Sequence, residues 1–150
     1  MYPLRIALAC LFSLAVHAQD FGDQSSSTLA GKAWAASGGG TPADALAYTA
    51  KCKELYEAIA LKQQAALTDF APADKAHDNW ALNDVGTCYF IEAQVYEKLG
   101  KKPEAIAAYK KLATDLAYAQ CWDTKGWFWR PASAAKDRLK QLEFDAALDD

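Results

Sequence analysis

Motifs for metal-dependent or nucleophilic catalysis are missing from this chain of 150 residues. The sequence has no H-E-x-x-H zinc motif, no G-x-S-x-G nucleophile turn and no cluster of cysteine with histidine. The glycines at 38–40 lack the lysine and the preceding strand that a phosphate-binding loop needs. Beyond residue 18 the single histidine is His77, which we expect to be a solvated loop residue among acids. These absences favour a non-catalytic protein over an enzyme, and they predict no cofactor and no metal site.

An excess of positive charge is also missing. The chain has 16 basic and 19 acidic residues, and removal of residues 1–18 takes away Arg5 and no acidic residue, which leaves a net charge of about −4. A negative balance argues against nucleic acid and anionic membrane surfaces, because both attract a basic face. No apolar run after residue 18 is long enough to cross a bilayer, so the sequence predicts no membrane span.

The first eighteen residues have the pattern of a secretory signal peptide. Arg5 gives a short positive start, an apolar run follows from Ile6 to Val16, and Val16-His17-Ala18 is a cleavage site of the A-x-A kind before Gln19. The alternatives are a buried first helix and a lipid anchor at Cys10. The pattern predicts an exported protein, either periplasmic or secreted.

Residues 19–40 contain few large apolar side chains. Serine, glycine, alanine and aspartate dominate them, and they end in Ser37 followed by three glycines. Such a composition buries too little apolar surface to offset the entropy lost on ordering. We therefore expect a flexible linker at 19–40 and a helical domain at 41–150.

Helical periodicity is strongest from Tyr89 to Leu112. Two amphipathic helices joined by a tight turn are predicted there, since apolar residues recur at three- and four-residue spacing on both sides of Gly100. Gly100 tolerates a positive φ after the first helix, and Pro103 suits the first turn of the second. The first helix of this pair is predicted to start near Trp80 or Ala81. Two further helices are predicted, from Thr41 to about Leu67 and from Pro131. The buried side of the first of these is predicted to carry Ala45, Tyr48, Cys52, Leu55, Tyr56, Ile59 and Ala66.

The stretch from Tyr89 to Leu112 resembles the tetratricopeptide repeat (TPR), whose pattern is W-x2-L-G-x2-Y, then A-x3-F, then P. The matching residues are Tyr89 at the Trp place, Ala93 at the Gly place, Tyr96 at the Tyr place, and Ala105-x3-Tyr109. Two positions depart from the pattern, because Glu92 replaces the Leu and Ala117 replaces the Pro. The resemblance implies an all-α protein, a short antiparallel stack of TPR-like helix-turn-helix units with about four main helices, which serves as a binding scaffold.

The resemblance also implies a site. In this family the first helix of each pair lines a concave groove, and its groove residues directly follow the packing positions. Carried onto this chain, the partner-binding groove consists of Thr87, Phe90, Gln94 and Glu97, which share one side of a helix. Phe90 is then either an aromatic anchor for a protein or peptide partner or a core residue buried against a neighbouring helix.

An aromatic cluster interrupts the helical pattern before Pro131. It contains Phe128 and three of the five tryptophans, namely Trp122, Trp127 and Trp129. In one interpretation these three tryptophans form an aromatic platform that stacks on sugar rings. In the other, which we favour, the indoles fold back and plug the open end of the helix stack, since aromatic side chains bury a large apolar area.

Three cysteines remain after residue 18, an odd number for an oxidising compartment. Helix register at about 1.5 Å per residue separates Cys52 from Cys121 by about 20 Å, beyond the reach of about 7 Å that a disulfide allows between Cα atoms. Two alternatives stay open, a disulfide between Cys88 and Cys121 or three free and buried thiols.

A narrower resemblance is to small exported bacterial TPR proteins. It rests on Lys-Cys-Lys-Glu-Leu-Tyr at 51–56, on an Asn-Asp opening into the central helix, and on Cys-Trp-Asp followed by Gly-Trp-Phe-Trp-Arg-Pro. Some similar sequences are labelled β-glucanase or β-glucan synthetase precursor, although no catalytic constellation in this chain supports such an activity. We therefore expect an exported, non-catalytic protein–protein interaction module of the bacterial envelope. The runner-up is a glycan-binding or glycan-processing envelope protein.

Overall fold

The computed structural model describes residues 19–148, and they are mostly helical. They contain a one-turn 3-10 helix at Ala76–Asn79, a two-stranded sheet and five α-helices. The helices are α1 (Ser26–Gly39), α2 (Pro42–Ala65), α3 (Trp80–Lys98), α4 (Lys102–Asp115) and α5 (Pro131–Leu148), and the strands are β1 (Cys121–Asp123) and β2 (Trp127–Trp129). The predicted all-α class is confirmed in outline, but the described residues form five main helices where about four were expected.

Helix α1 occupies the segment for which we predicted a flexible linker, so that prediction is wrong for Ser26–Gly39. The Ser25 hydroxyl caps the helix by accepting a hydrogen bond from the backbone N–H of Thr28 at 3.2 Å. Leu29 is fully buried in the same core cluster as Cys52 and Val85. The helical domain therefore begins before residue 41.

The tight turns between helices use the residues that the sequence indicated. The Thr41 hydroxyl accepts a hydrogen bond from the Asp44 backbone N–H at 3.1 Å, and Pro42 is the first residue of α2. Gly100 has a φ of +70°, which a residue without Cβ adopts readily, and Pro103 lies in the first turn of α4. Helices α1 with α2, and α3 with α4, are thus two helical hairpins.

The buried side of α2 differs from the predicted one. Leu55 and Ile59 are 40% and 38% exposed, and Ala66 is exposed as well. Thr49 and Ala60 are fully buried in their place. Helix α2 packs against both α1 and α3. Because α1 was not predicted, the side of α2 that it covers was not predicted either.

Helix α3 is the centre of the fold, because it contacts all four other helices. Ala93 in α3 and Ala105 in α4 are fully buried, as small residues at a helix contact should be. A Cβ added at Gly86 would lie 2.6 Å from the Ala119 Cβ. Glycine at this position therefore lets the segment after α4 approach α3 closely.

Helices α1 and α3 run side by side in the same direction. Near their starts, the Ser26 hydroxyl donates a hydrogen bond to the Asp84 carboxylate at 2.5 Å. Near their ends, Lys98 Nζ donates to the Ser37 carbonyl at 3.0 Å. These two contacts fix the register of the pair.

Helix α5 runs parallel to α3 on the opposite side. Its first residue, Pro131, lies near Gly86 in the first half of α3, and Arg138 forms an ion pair with Glu97 near the end of α3. Three parallel helices with α3 in the middle therefore form one side of the molecule, and α2 and α4 are the return helices between them.

Two sequence predictions concern membranes and export. Across residues 19–148, every helix is either too short or too polar to cross a membrane. The predicted signal peptide, residues 1–18, lies outside the described residues.

Candidate functional site

Three of the four predicted groove residues line one open groove between α3 and α5. We call it the helix groove, and its volume is about 530 Å³. Helix α3 contributes Phe90, Gln94 and Glu97, and the facing residues come from α4 and α5. The full lining is Phe90, Gln94, Glu97, Tyr109, Ala134, Asp137, Arg138 and Gln141.

Phe90 is half-buried and lies among three other aromatic side chains. Its ring centroid is 5.0 Å from that of Trp129, 6.0 Å from that of Tyr109 and 6.4 Å from that of Trp34. Trp34 is 41% exposed, so the aromatic surface continues onto α1. The sequence left Phe90 as either an anchor for a partner or a core residue. In the structure it packs on its neighbours and also lines the groove.

A preformed ion pair lies at one end of the helix groove. Glu97 accepts hydrogen bonds from Arg138 Nε at 2.7 Å and from the Tyr109 hydroxyl at 2.7 Å. Burial acts to raise the pKa of Glu97, but the hydrogen bonds from Arg138 and Tyr109 outweigh it and the pKa is lowered. Burial, followed by the hydrogen bond to Glu97, raises the pKa of Tyr109. At neutral pH the pair is therefore charged and Tyr109 is not.

Thr87 does not line the helix groove, contrary to the prediction. It is 6% exposed, and its hydroxyl donates to the Asn83 carbonyl at 2.8 Å. Thr87 Oγ1 also lies 2.7 Å from Cys121 Sγ in β1. The strand covers this turn of α3, so the exposed stripe begins one turn later, at Phe90.

Of the two alternatives for the cysteines, the structure has the free and buried thiols at Cys52, Cys88 and Cys121, and no disulfide joins Cys88 to Cys121. The Cys121 thiol contacts Thr87, whereas Cys52 of α2 and burial raise the pKa of the Cys88 thiol. The two thiols therefore have different neighbours. Burial raises the pKa of Cys121 to about 12, so this thiol stays protonated at neutral pH.

Strands β1 and β2 form a hairpin whose two faces carry different aromatic residues. The turn is closed by Gly126, which has a φ of +96°. Since side chains alternate along a strand and Trp122 pairs with Phe128, these two residues share one face, while Trp127 and Trp129 lie on the other. The register pairs Cys121 with Trp129, Trp122 with Phe128, and Asp123 with Trp127.

A second groove lies between this hairpin and the loop that follows α2. We call it the hairpin groove, and its volume is about 780 Å³. Trp122 and Trp127 border it with 53% and 52% of their surfaces exposed. The full lining is Asp69, Phe70, Ala71, Pro72, Ala73, His77, Gln120, Trp122, Gly126, Trp127, Phe128 and Arg130.

The favoured interpretation of the aromatic cluster as a buried plug does not hold for Trp122 and Trp127, since both are half-exposed. The alternative interpretation, one platform of three tryptophans, does not hold either, because the three side chains lie at two different grooves. Trp122 and Trp127 line the hairpin groove, whereas Trp129 packs against Phe90 beside the helix groove. One short hairpin thus borders both grooves.

His77 is exposed, as expected, but it is not isolated. Its ring centroid lies 5.1 Å from that of Phe128 and 6.0 Å from that of Trp122, and these two are 5.0 Å apart. The three rings form one cluster on the wall of the hairpin groove. The sequence carried no signal for it, because the contact joins segments that are far apart along the chain.

Two buried amide side chains hold the walls of the hairpin groove together. Asn83 Nδ2 donates to the Ala76 carbonyl at 2.8 Å, and Asn83 Oδ1 accepts from the Gln120 backbone N–H at 2.8 Å. Gln120 Nε2 donates to the Ala71 carbonyl at 2.9 Å. Asn83 and Gln120, neither of which was predicted to matter, therefore tie both the loop and the hairpin to α3.

No family model, curated protein or solved structure matches this chain. The geometry of the helix groove and of the hairpin groove is therefore the basis for a functional proposal. Within residues 19–148 there is no group of three or more His, Cys, Asp or Glu side chains that could hold a metal ion.

Proposed function

We propose that this protein is an exported, non-catalytic protein–protein interaction module of the bacterial envelope, and that a protein or peptide partner binds in the helix groove. The observation that carries the proposal is the pair of aromatic side chains, Phe90 and Tyr109, that line this open groove. Trp34 and Trp129 pack against the Phe90 ring. Export rests on the signal-peptide pattern of residues 1–18.

An extended or helical peptide suits the chemistry of the groove. Aromatic side chains in a pocket supply most of the binding energy of protein interfaces, and Phe90 offers such an anchor. Gln94 and Gln141 add amides that both donate and accept hydrogen bonds, as a peptide backbone requires. The Glu97–Arg138 pair contributes one charge of each sign, and Asp137 adds a further negative charge to the lining. The groove therefore disfavours a strongly acidic partner.

The order of the helices supports a TPR-like scaffold. The hairpins α1–α2 and α3–α4 follow each other along the chain, and α5 packs against α3 and α4 in the place of a closing helix. The resemblance to the TPR pattern implies that the first helix of each pair lines the groove. Here those helices are α1 and α3, of which α3 lines the helix groove and α1 runs parallel to it on the side away from α5.

The groove is tested by capturing partners from a native envelope extract and then measuring the dissociation constant of the purified partner. Phe90→Ala should weaken binding by about 1–3 kcal/mol, because it removes the aromatic anchor. Gln94→Arg should also weaken binding, and it changes the groove surface without removing a packed ring. Trp80→Ala is the matched control, since Trp80 is 44% exposed and lies outside both grooves.

Equal affinity of wild type, Phe90→Ala and Gln94→Arg would contradict binding in the helix groove. A large fall in melting temperature for Phe90→Ala alone would identify Phe90 as a core residue and leave Gln94→Arg as the deciding variant. Export is checked separately by mass spectrometry of the protein from its host, which should start at Gln19. An intact Met1 would contradict it.

A further inference from the structure

The hairpin groove has no part in the proposed protein-binding function, although it is the larger of the two grooves. Trp122 and Trp127 each leave half of an indole in water at its edge. Two large exposed aromatic faces beside a cavity cost hydrophobic free energy, and such surfaces mark binding sites. The groove therefore calls for a ligand with apolar faces of its own.

The walls of the groove are fixed before any ligand arrives. Cys121 at the base of the hairpin contacts Thr87, and Gln120 links the hairpin to Ala71 in the opposite wall. Phe128 holds Trp122 from one side at a centroid distance of 5.0 Å. Preorganised walls reduce the entropy lost on binding, so even a small ligand can be held by few contacts.

The polar groups of the groove offer both a donor and an acceptor. The Arg130 guanidinium stacks on Phe70, with its carbon 3.9 Å from the ring centroid, and makes no ion pair within the described residues. Asp69 accepts the Phe70 backbone N–H with Oδ1 at 2.7 Å, which leaves Oδ2 for a ligand. One charge of each sign suits a neutral ligand. A hydroxyl group suits both side chains, because it donates to a carboxylate and accepts from a guanidinium.

We propose that the hairpin groove binds a neutral saccharide, with a pyranose ring stacked on Trp122 or Trp127 and its hydroxyls bonded to Asp69 and Arg130. A ring with equatorial hydroxyls presents axial C–H groups on its faces, which pack on an indole, while its polar groups point outward from the edge. Aromatic grooves also bind proline-rich peptides. Prolines carry no N–H, however, and would leave the Asp69 carboxylate without a donor.

The test is a titration of the full chain with cellotriose and with chitotriose, followed by calorimetry and by tryptophan fluorescence. Both sugars have equatorial hydroxyls or amides, and saturable binding of at least one is expected. Trp122→Ala and Trp127→Ala should each weaken that binding by about tenfold with only a small fall in melting temperature, because half of each side chain is exposed. Trp80→Ala and Gln94→Arg should bind the sugar as wild type does, because Gln94 lines the helix groove and not the hairpin groove. These variants separate the two sites.

Three results would overturn the proposal. The first is no saturable binding of either sugar. The second is the same sugar affinity in wild type, Trp122→Ala and Trp127→Ala. The third is a polyproline peptide that binds where the sugars do not and loses affinity in the two tryptophan variants. None of these results bears on a partner in the helix groove, so the two proposals fail independently.

Discussion

The helix groove and the hairpin groove are supported in different ways. The residues of the helix groove extend from regular helices, which pack through fully buried small residues such as Ala93 and Ala105. The hairpin groove is built from a loop and two short strands, which are held by hydrogen bonds of Asn83 and Gln120. We expect the helix groove to keep its shape as long as the core of the protein is folded. The shape of the hairpin groove depends on a few polar contacts instead.

The largest effect is expected from Asn83→Ala, which should destabilise the hairpin groove more than the helix groove. It leaves the Gln120 N–H and the Ala76 carbonyl without their partner, and each unpaired buried group costs about 1–3 kcal/mol. We expect the free energy of unfolding, measured with urea, to fall by about 2–4 kcal/mol and hydrogen exchange to rise in the hairpin. The matched control is Asn79→Ala, because the Asn79 side chain makes no capping hydrogen bond. Equal stability of the two variants would show that Asn83 does not hold the hairpin groove.

Ala105→Leu tests the support of the helix groove. Ala105 is fully buried, so the larger side chain should overpack the contact of α4 and lower the free energy of unfolding by about 1–3 kcal/mol. Thermal melting of this variant is compared with that of Ala107→Leu, in which the exposed side of α4 is changed. If both variants melt like wild type, the core does not set the position of α4.

The smallest effect is expected from Arg138→Gln at the end of the helix groove. The pKa of Glu97 is lowered from its usual 4.5 in the folded protein, so the pair stabilises the fold above that pH. The stabilisation is lost as the pH falls through the folded pKa. Because Arg138 is 42% exposed, the loss at neutral pH should be only about 0.5–1 kcal/mol, and it should vanish in acid. Urea denaturation at both pH values measures it.

The matched control for that pair is Lys140→Gln. Lys140 lies 3.8 Å from Asp137 in a pair that is almost wholly in solvent, so no measurable change is expected. An equal loss in Lys140→Gln and Arg138→Gln, or a loss in Arg138→Gln that persists in acid, would mean that Glu97 is not the group responsible.

The α3–α4 hairpin could be predicted because its signals are local. Gly100 and Pro103 mark the turn, and apolar residues repeat at helical spacing on both sides. Helix α1 could not be predicted in the same way. Leu29 supplies its one large buried aliphatic side chain, and the rest of its buried surface is small, from residues such as Ala33. Close packing of small side chains stabilises α1. Small residues, however, do not form an apolar pattern that can be recognised in the sequence.

The candidate site shows the same limit. Phe90, Gln94 and Glu97 could be placed together because they follow one side of a single helix. Thr87 was misplaced because β1, which lies far along the chain, covers it. The hairpin groove depends on contacts of that distant kind throughout, as His77 shows by packing on Phe128.

The hairpin between the two grooves has a thermodynamic consequence. Trp129 on one face touches Phe90, and Trp122 on the other face borders the hairpin groove. If a sugar and a partner each bind one position of these three-residue strands more tightly than another, the sugar must change the affinity for the partner. By linkage, the partner must then change the affinity for the sugar by the same factor. Under the two proposals, the hairpin that borders both grooves would couple binding in one groove to binding in the other.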